Sequence, residues 1–504
     1  MKTKIIIILA LYAFITGSCS LVTEPSDAIT TSSLTDSPSG LKNAVNGAYS
    51  LFKDRVSFNG TTDLNNMYLR QYFQLSDFSA DDIVCAQVTT DPLFLSFSLN
   101  HSPAQTNVRY FWYISYKIIN NANTVIEAVE KSGNSDSATK QLLGECYFLR
   151  AFSHFNLVRL FAKPYNQDAN GPGVILRTNL SDPSHKARAT VAEVYASVIA
   201  DAEKAADLMT VPRGVGYASK EAAWALLSRV NLYKEDNAKA IDYSTRVINS
   251  GRFTLQTSAT YPALFANALT SGETIFSIAF TEIDDYGKSG SIASMIYSDG
   301  NSGWGEEFAS SSIRSLMSAH PEDVRWSYIV PLKDASNNPV KKNGIETYYI
   351  TKFSFQNGRP GLSSPIMFRL AEMYLNRAEA LAKTGQTGPA LNDIDEIREN
   401  RGLQASLYNQ VVPAGSTILD VVLNERRIEL AFEGHRNFDV YRNKRNLDRT
   451  YWGYHIAGLK ETDINLSAQP ASSANLIVQY TNPRTIYFLP IDEILSNPLA
   501  TQNN

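Results

Sequence analysis

The chain has 504 residues, 44% of them hydrophobic and 19% charged, a composition ordinary for a globular protein of one large domain or a few smaller ones. A formal net charge of −4 and an isoelectric point near 6.0 give no electrostatic reason to expect nucleic acid as a partner. Short basic runs such as RNKRNLDR are flanked by acids and read as a solvated face.

The N-terminus, MKTKIIIILALYAFITGSCS, sets two lysines before an apolar run from Ile5 to Ile15 and small residues before Cys19, the pattern of a secretory signal peptide over residues 1–18. The run is shorter than the roughly 20 apolar residues of a spanning helix. A lipid on Cys19 would supply an anchor instead, although Thr16, Gly17 and Ser18 stand where lipoprotein cleavage sites usually begin with an aliphatic residue. Residues 19–38 are rich in Ser, Thr, Pro and Asp and read as a flexible tether, too polar to bury enough surface to order itself. Cys85 and Cys146 are too few for a disulfide framework and are expected to be free thiols, Cys146 in the core.

From residue 39 helical periodicity dominates. Leu41, Val45, Ala48 and Phe52 recur at helical spacing. NVRYFWYISYKIINNANTVIEAVEKSG carries a stripe of Phe111, Ile114, Ile118, Ala122, Val125 and Val129 and stops near Gly133; ATKQLLGECYFLRAFSHFNLVRLFAKPY repeats the pattern on Leu142, Cys146, Leu149, Phe152, Phe155 and Val158 until Pro164. The short polar turn between them makes the two antiparallel neighbours, with Trp112 in the core. Two further pairs follow, SKEAAWALLSRVNLYKE with NAKAIDYSTRVINSGRF and IMFRLAEMYLNRAEALAKTG with TGPALNDIDEIRENRGL. Each pair spans roughly the 34 residues of a tetratricopeptide unit. Ala223, Ala240, Ala378 and Ala390 stand where such helices approach closely. The expected fold is therefore mainly α, a scaffold of dispersed tetratricopeptide-like helical pairs in an N-terminal part, 39–252, and a C-terminal part, 365–504.

Between them, residues 253–364 turn to Gly, Ser, Asn and aromatics with short β-like runs, ETIFSIAF and ETYYITKF. Irregular segments of this length are either functional or disordered, and the recurring tyrosines and tryptophans argue against disorder.

Several segments carry a family resemblance. NAVNGAYSLF, YISYKIINNANTVIE, GECYFLRAFSHFNLVRLFAKPY, LNRAEALAKTG, LNERRIELAFEGHRNFDVYR and the closing YFLPIDEILSNPLATQNN resemble, in order, signatures of the SusD/RagB-like outer-membrane nutrient-binding lipoproteins. The resemblance implies a surface lipoprotein that acts as the lid of a SusC-like TonB-dependent transporter and captures a nutrient oligomer, most often a glycan and in some members a peptide. It implies binding without catalysis.

The charge-dense stretch Asn424–Arg442 looks at first like an active site. In a helix Glu425, Glu429 and Glu433 would share one face and repel, so cations must be close, and Arg426, Arg427, Arg436 and Arg442 are at hand for bidentate pairing. His435 has no spaced second histidine, so structural ion pairing is the expectation and no metal site is assigned. Zinc-helix, phosphate-loop and nucleophile-elbow motifs are absent, and the 6 histidines are dispersed. DIDE at Asp393–Glu396 reads as a solvated helix face. No catalytic residue and no cofactor is expected, and nothing in the sequence indicates calcium.

Sugars stack their C–H faces on aromatic rings while Asn, Asp, Gln and Arg take the hydroxyls. IYSDGNSGWGEEF is the best candidate for such a platform: Trp304 stands between two glycines in a polar loop, with Tyr286 and Tyr297 as weaker companions. Trp326, after PEDVR, reads as packing. DFSADDIV and SLNHSPAQTN resemble the family's ligand-facing loops, which places Asp81, Asp82 and Asn100 among the candidates. Two other classes remain open: an envelope interaction scaffold, which predicts no solvent-facing tryptophan in the insertion, and a secreted hydrolase, which requires convergent acids in a cleft.

Overall fold

The computed structural model describes residues 38–86, 91–450 and 477–503. The leader, Cys19 and nearly all of the tether lie outside the described residues. The principal helices are α1 (Pro38–Ser50), α2 (Tyr68–Asp77), α3 (Thr106–Ser132), α4 (Ser137–Phe161), α5 (Val191–Leu208), α6 (Lys220–Lys234), α7 (Asn237–Ile248), α8 (Leu370–Lys383), α9 (Thr387–Glu399), α10 (Ile418–Glu429) and α11 (Arg436–Arg442). Their ends are written locally. Gly133 closes α3 in the left-handed region at φ 69°, and the Asp136 carboxylate opens α4 by accepting from Ala138 N at 2.9 Å and Thr139 N at 3.0 Å. Thr190 with Glu193 and Thr417 with Asp420 form capping boxes at the starts of α5 and α10.

Helices α3 to α7 each pack on the next, and α7 packs on α8 although the whole insertion separates them in sequence; α8 then meets α9 and α10. The pairs scattered along the chain are thus consecutive in space, a continuous helical stack. One expectation needs correcting here. α4 was read as amphipathic, yet buried residues occur all around it, from Leu142 and Cys146 to Arg150, His154 and Asn156. It is the central rod of the core, which its all-round apolar and aromatic content suits. Trp112 is buried as expected and donates to Glu493 Oε2 at 3.2 Å. Trp326 is partly buried against the core. Cys85 and Cys146 are both buried, and they do not form a disulfide with each other.

Small residues set the spacing of the stack. Leu232, Ala240 and Ala380, from α6, α7 and α8, form a contact cluster in which all three are fully buried. Ala240→Leu is expected to cost about 1–3 kcal/mol by overpacking, read as a lower midpoint in urea denaturation; an unchanged midpoint would mean the helices do not close on one another there.

The strands of three or more residues are short: β1 (Ile83–Cys85), β2 (Thr274–Ser277), β3 (Glu307–Ala309), β4 (Ile329–Pro331), β5 (Tyr348–Ile350) and β6 (Ile366–Arg369). They pair antiparallel as β1 with β3, β2 with β6 and β4 with β5. The first of these pairs hydrogen-bonds the N-terminal part to the insertion, and the second joins the insertion to the start of α8.

The charged stretch is structural, but its partners come largely from elsewhere. α10 ends at Glu429, so Glu433 lies beyond the helix, beside Gly434 at φ 75°. Glu429 pairs with Arg369 at 2.6 Å, Arg401 at 2.8 Å and Arg325 at 3.1 Å; Glu425 pairs with Arg325 at 2.6 Å and Arg398 at 2.9 Å; Glu433 pairs with Lys352 at 2.7 Å and Arg369 at 2.8 Å. Arg325 and Lys352 come from the insertion, so this buried network clamps it to the stack. The four arginines of the stretch itself face other acids: Arg426 meets Asp439, Arg427 meets Asp82, Arg436 meets Asp81 and Arg442 meets Glu379.

Candidate functional site

The loop that carries Trp304 is built by side chain-to-backbone bonds. Asp299 accepts from Asn301 N, Ser302 N and Ser302 Oγ at 2.9, 2.7 and 2.6 Å, and the hydroxyl and amide donors of Ser302 pull its carboxyl down to about 2. Ser298 Oγ donates to Gly303 O at 2.9 Å, and Trp304 N and Gly305 N both donate to Ser294 O. Both glycines are required. A Cβ on Gly303 would lie 2.1 Å from Tyr297 O, and Gly305, at φ 56°, would bring one to 2.7 Å from Ser298 Cβ. The backbone is therefore pressed against its own loop and the indole is left at the surface.

Trp304 is 49% exposed. It lines an open cleft of about 510 Å3 together with the Asp63–Leu64–Asn65 loop before α2 and with Asp91, Pro92, Ser289, Met295 and Glu306. Leu64 is itself 54% exposed. Lys288 Nζ lies 4.1 Å from the indole centre, so a ligand stacking on Trp304 uses the opposite face or displaces that ammonium. An apolar platform ringed by carboxylates and an amide can hold a polyhydroxylated ligand, with ring faces on the indole and hydroxyls on the acids.

The other sequence candidates divide. Tyr286 is half-buried near the cleft, stacked under Arg55 with its guanidinium carbon 4.2 Å from the ring centre. Tyr297 is half-buried behind Trp304, edge-on to Tyr349 at 5.6 Å and Phe355 at 5.3 Å, a support for the loop. Asp81 and Asp82 do not face a ligand, contrary to expectation: they are 1% and 2% exposed. Burial pushes both carboxyls up; at Asp81 Arg427 and Arg436 reverse this and hold it low, while Asp82 stays raised. Asn100 is exposed, but it does not line the cleft; its neighbour His101 packs on Tyr487 and bonds the Arg484 carbonyl, beside the C-terminal segment. The solvated reading of DIDE also needs correction, since Asp393 is buried and paired with Arg377 at 2.7 Å. Among the described residues no group of three or more His, Cys, Asp or Glu is placed to hold a metal ion.

Sequence reasoning missed the Asp63–Asn65 wall. Its signal was Leu64, a lone aliphatic in a polar loop, which gains meaning only once the loop is seen to share the cleft with Trp304.

The comparisons with known proteins follow the same architecture. The profile of the SusD family matches residues 273–504, and a second profile, described as starch-binding and associating with the outer membrane, matches residues 22–232. SusD-like protein P38 of Formosa agariphila is 27% identical over 76% of this chain and 82% of its own length. A SusD superfamily protein of Bacteroides thetaiotaomicron superimposes with a TM-score of 0.79 at 29% identity, covering 92% of this chain and 99% of its own. One from Bacteroides vulgatus gives 0.76 at 26%, covering 92% and 98%. Profile matches over residues 22–232 and 273–504, on a chain that superimposes over 92% of its length on a SusD superfamily structure, place it plainly: the chain belongs to the SusD family.

Proposed function

We propose that this protein is a lipid-anchored, surface-facing protein of the outer membrane that binds a nutrient oligomer, a glycan before other classes, and serves as the lid of a SusC-like TonB-dependent transporter. The observation that carries the reading is Trp304, half-exposed and fixed between two glycines at the wall of a cleft of about 510 Å3 lined by Asp63, Asn65, Asp91 and Glu306. The starch-binding, outer-membrane description of the matching profile supports both ligand class and location. The scaffold alternative predicts no solvent-facing tryptophan in the insertion, and Trp304 is about half-exposed. No helix among the described residues is long and apolar enough to cross a membrane; what supports attachment through Cys19 is the leader pattern before it. Tethering keeps the bound oligomer at high local concentration beside the transporter, so weak contacts suffice and the protein performs no chemistry. A hinge of the lid about this tether would admit the ligand, with the transporter supplying the energised step. The cleft carboxylates also favour a second ligand class, peptides rich in Lys or Arg.

Isothermal titration of the protein lacking residues 1–19 against oligosaccharides, polysaccharides and peptide mixtures tests this. Saturable glycan binding is expected, weakened roughly tenfold or more by Trp304→Ala through loss of stacking and apolar contact. Glycan binding at parental affinity in the variant would move the site away from this cleft, and peptide-only binding would replace the ligand class.

A further inference from the structure

At the far end of the central rod α4, Arg159 is buried in an unusual way. Most buried arginines here meet carboxylates, as Arg150 meets Asp201 at 2.7 Å and Arg229 meets Glu372 at 2.6 Å. Arg159 is 8% exposed, and its hydrogen bonds go only to neutral acceptors: Nη2 donates to Tyr72 Oη at 3.1 Å and to Asn156 Oδ1 at 2.6 Å. Its Nε and Nη1 have no acceptor among the described residues. Aromatic rings surround it, Phe438 at 4.4 Å and Phe155 at 5.0 Å.

Arg159 lines a narrow pocket of about 20 Å3 together with Tyr233 and Tyr441, whose buried hydroxyls also lack partners, and with Lys163 towards solvent. Among the described residues no carboxylate lines this pocket. Arg442, also on its wall, is already neutralised by Glu379 and Asp439. The available donors therefore outnumber acceptors around an uncompensated buried cation, and burying a charge is costly unless it is paired. The pocket adjoins a wider cleft of about 250 Å3 that shares Lys163 and Ile486 with it.

We propose that Arg159, Tyr233 and Tyr441 form a binding site for a small anion: chloride, or the carboxylate of a small organic acid whose body rests in the adjoining cleft. About 20 Å3 has room for roughly one water-sized group. Tetrahedral oxyanions such as phosphate and sulfate are too large. The site lies apart from the Trp304 cleft, with which it shares no lining residue.

The test uses the protein lacking residues 1–19. Crystals soaked in sodium bromide are expected to show an anomalous peak within hydrogen-bond distance of Arg159 and a tyrosine hydroxyl. Titration in chloride-free buffer is expected to give saturable heat with sodium chloride, with sodium acetate, or with both. Heat with chloride makes the source the monatomic ion; heat with acetate alone makes it the organic acid. Arg159→Gln should abolish this binding. Because that variant removes a core contact, Tyr441→Phe is the second arm, and it should fold normally and bind about five- to tenfold more weakly, the worth of one hydrogen bond. A water at the position with no anomalous signal and no heat from either salt overturns the proposal. So does a bromide peak without binding in solution, an adventitious ion only.

Discussion

Glu429→Ala is expected to lower the unfolding free energy by about 3–5 kcal/mol, the cost of leaving buried cations without their counter-charge. Glu429 is fully buried and ties Arg369, Arg401 and Arg325 to one carboxylate, and its loss leaves Arg401 only Glu273 as a charged partner among the described residues. Domains of this kind are stable by only about 5–15 kcal/mol, so the variant should melt far below the parent and yield less soluble protein. Glu429→Gln, which keeps the shape and an acceptor but not the charge, should fall between the two. If Glu429→Ala instead melts within a degree or two of the parent, the network does not clamp the insertion to the stack.

The same network should make the protein acid-labile. Burial by itself would raise the carboxyls of Glu425, Glu429, Glu433 and Glu379, but the surrounding cations outweigh it: Arg325 and Arg398 at Glu425, Arg401 and Arg369 at Glu429, Arg369 and Lys352 at Glu433, Arg442 and Lys383 at Glu379. All four are held below the ordinary glutamate value. A carboxyl lowered by folding contributes stability that is complete above its unfolded pKa, about 4.3, and disappears as pH falls through its folded value. Buried histidines act in the same sense at higher pH: burial lowers His101 to about 4 and His154 to about 3, so the unfolded chain takes up protons first as pH drops below about 6.5. Between those limits the effect is opposed. Burial raises Asp77 and Glu307 and lifts Glu145 to about 7, so these carboxyls bind protons more readily folded than unfolded. Melting temperature against pH is therefore expected to change little from pH 7 to 5 and to fall steeply below about pH 4.3. Glu429→Gln should show a lower plateau and a shallower acid limb. An equally steep limb in the variant would remove Glu429 as a source of the acid response.

Much of the fold could be read along the chain because helices declare themselves locally. The 3.6-residue period, Gly133 at the end of α3, Asp136 at the start of α4 and the short turn between them are contained in adjacent residues, and the helical pairs follow from them. Trp304 was legible for a related reason: an indole between two glycines in a polar loop has little local structure to hide in. Asp81 and Asp82 misled because a pair of acids in a polar stretch has the same appearance whether it faces a ligand or a buried arginine, and the arginines concerned lie in the C-terminal part, at Arg427 and Arg436. The charged stretch was read correctly as structural and with the wrong partners, since Arg325, Lys352, Arg369, Arg398 and Arg401 are all supplied by other elements.

The sequence by itself determined the helical class and the loop that exposes Trp304, because each depends on periodicity, capping or steric demands within a few residues. Only the tertiary structure decided that dispersed pairs form one stack, that the Asp63–Asn65 loop completes the cleft, and which cation meets which acid. Those outcomes depend on contacts between residues far apart in the chain, whose pairing is selected by packing and by the cost of burying an unpaired charge, and neither leaves a mark on the residues next door.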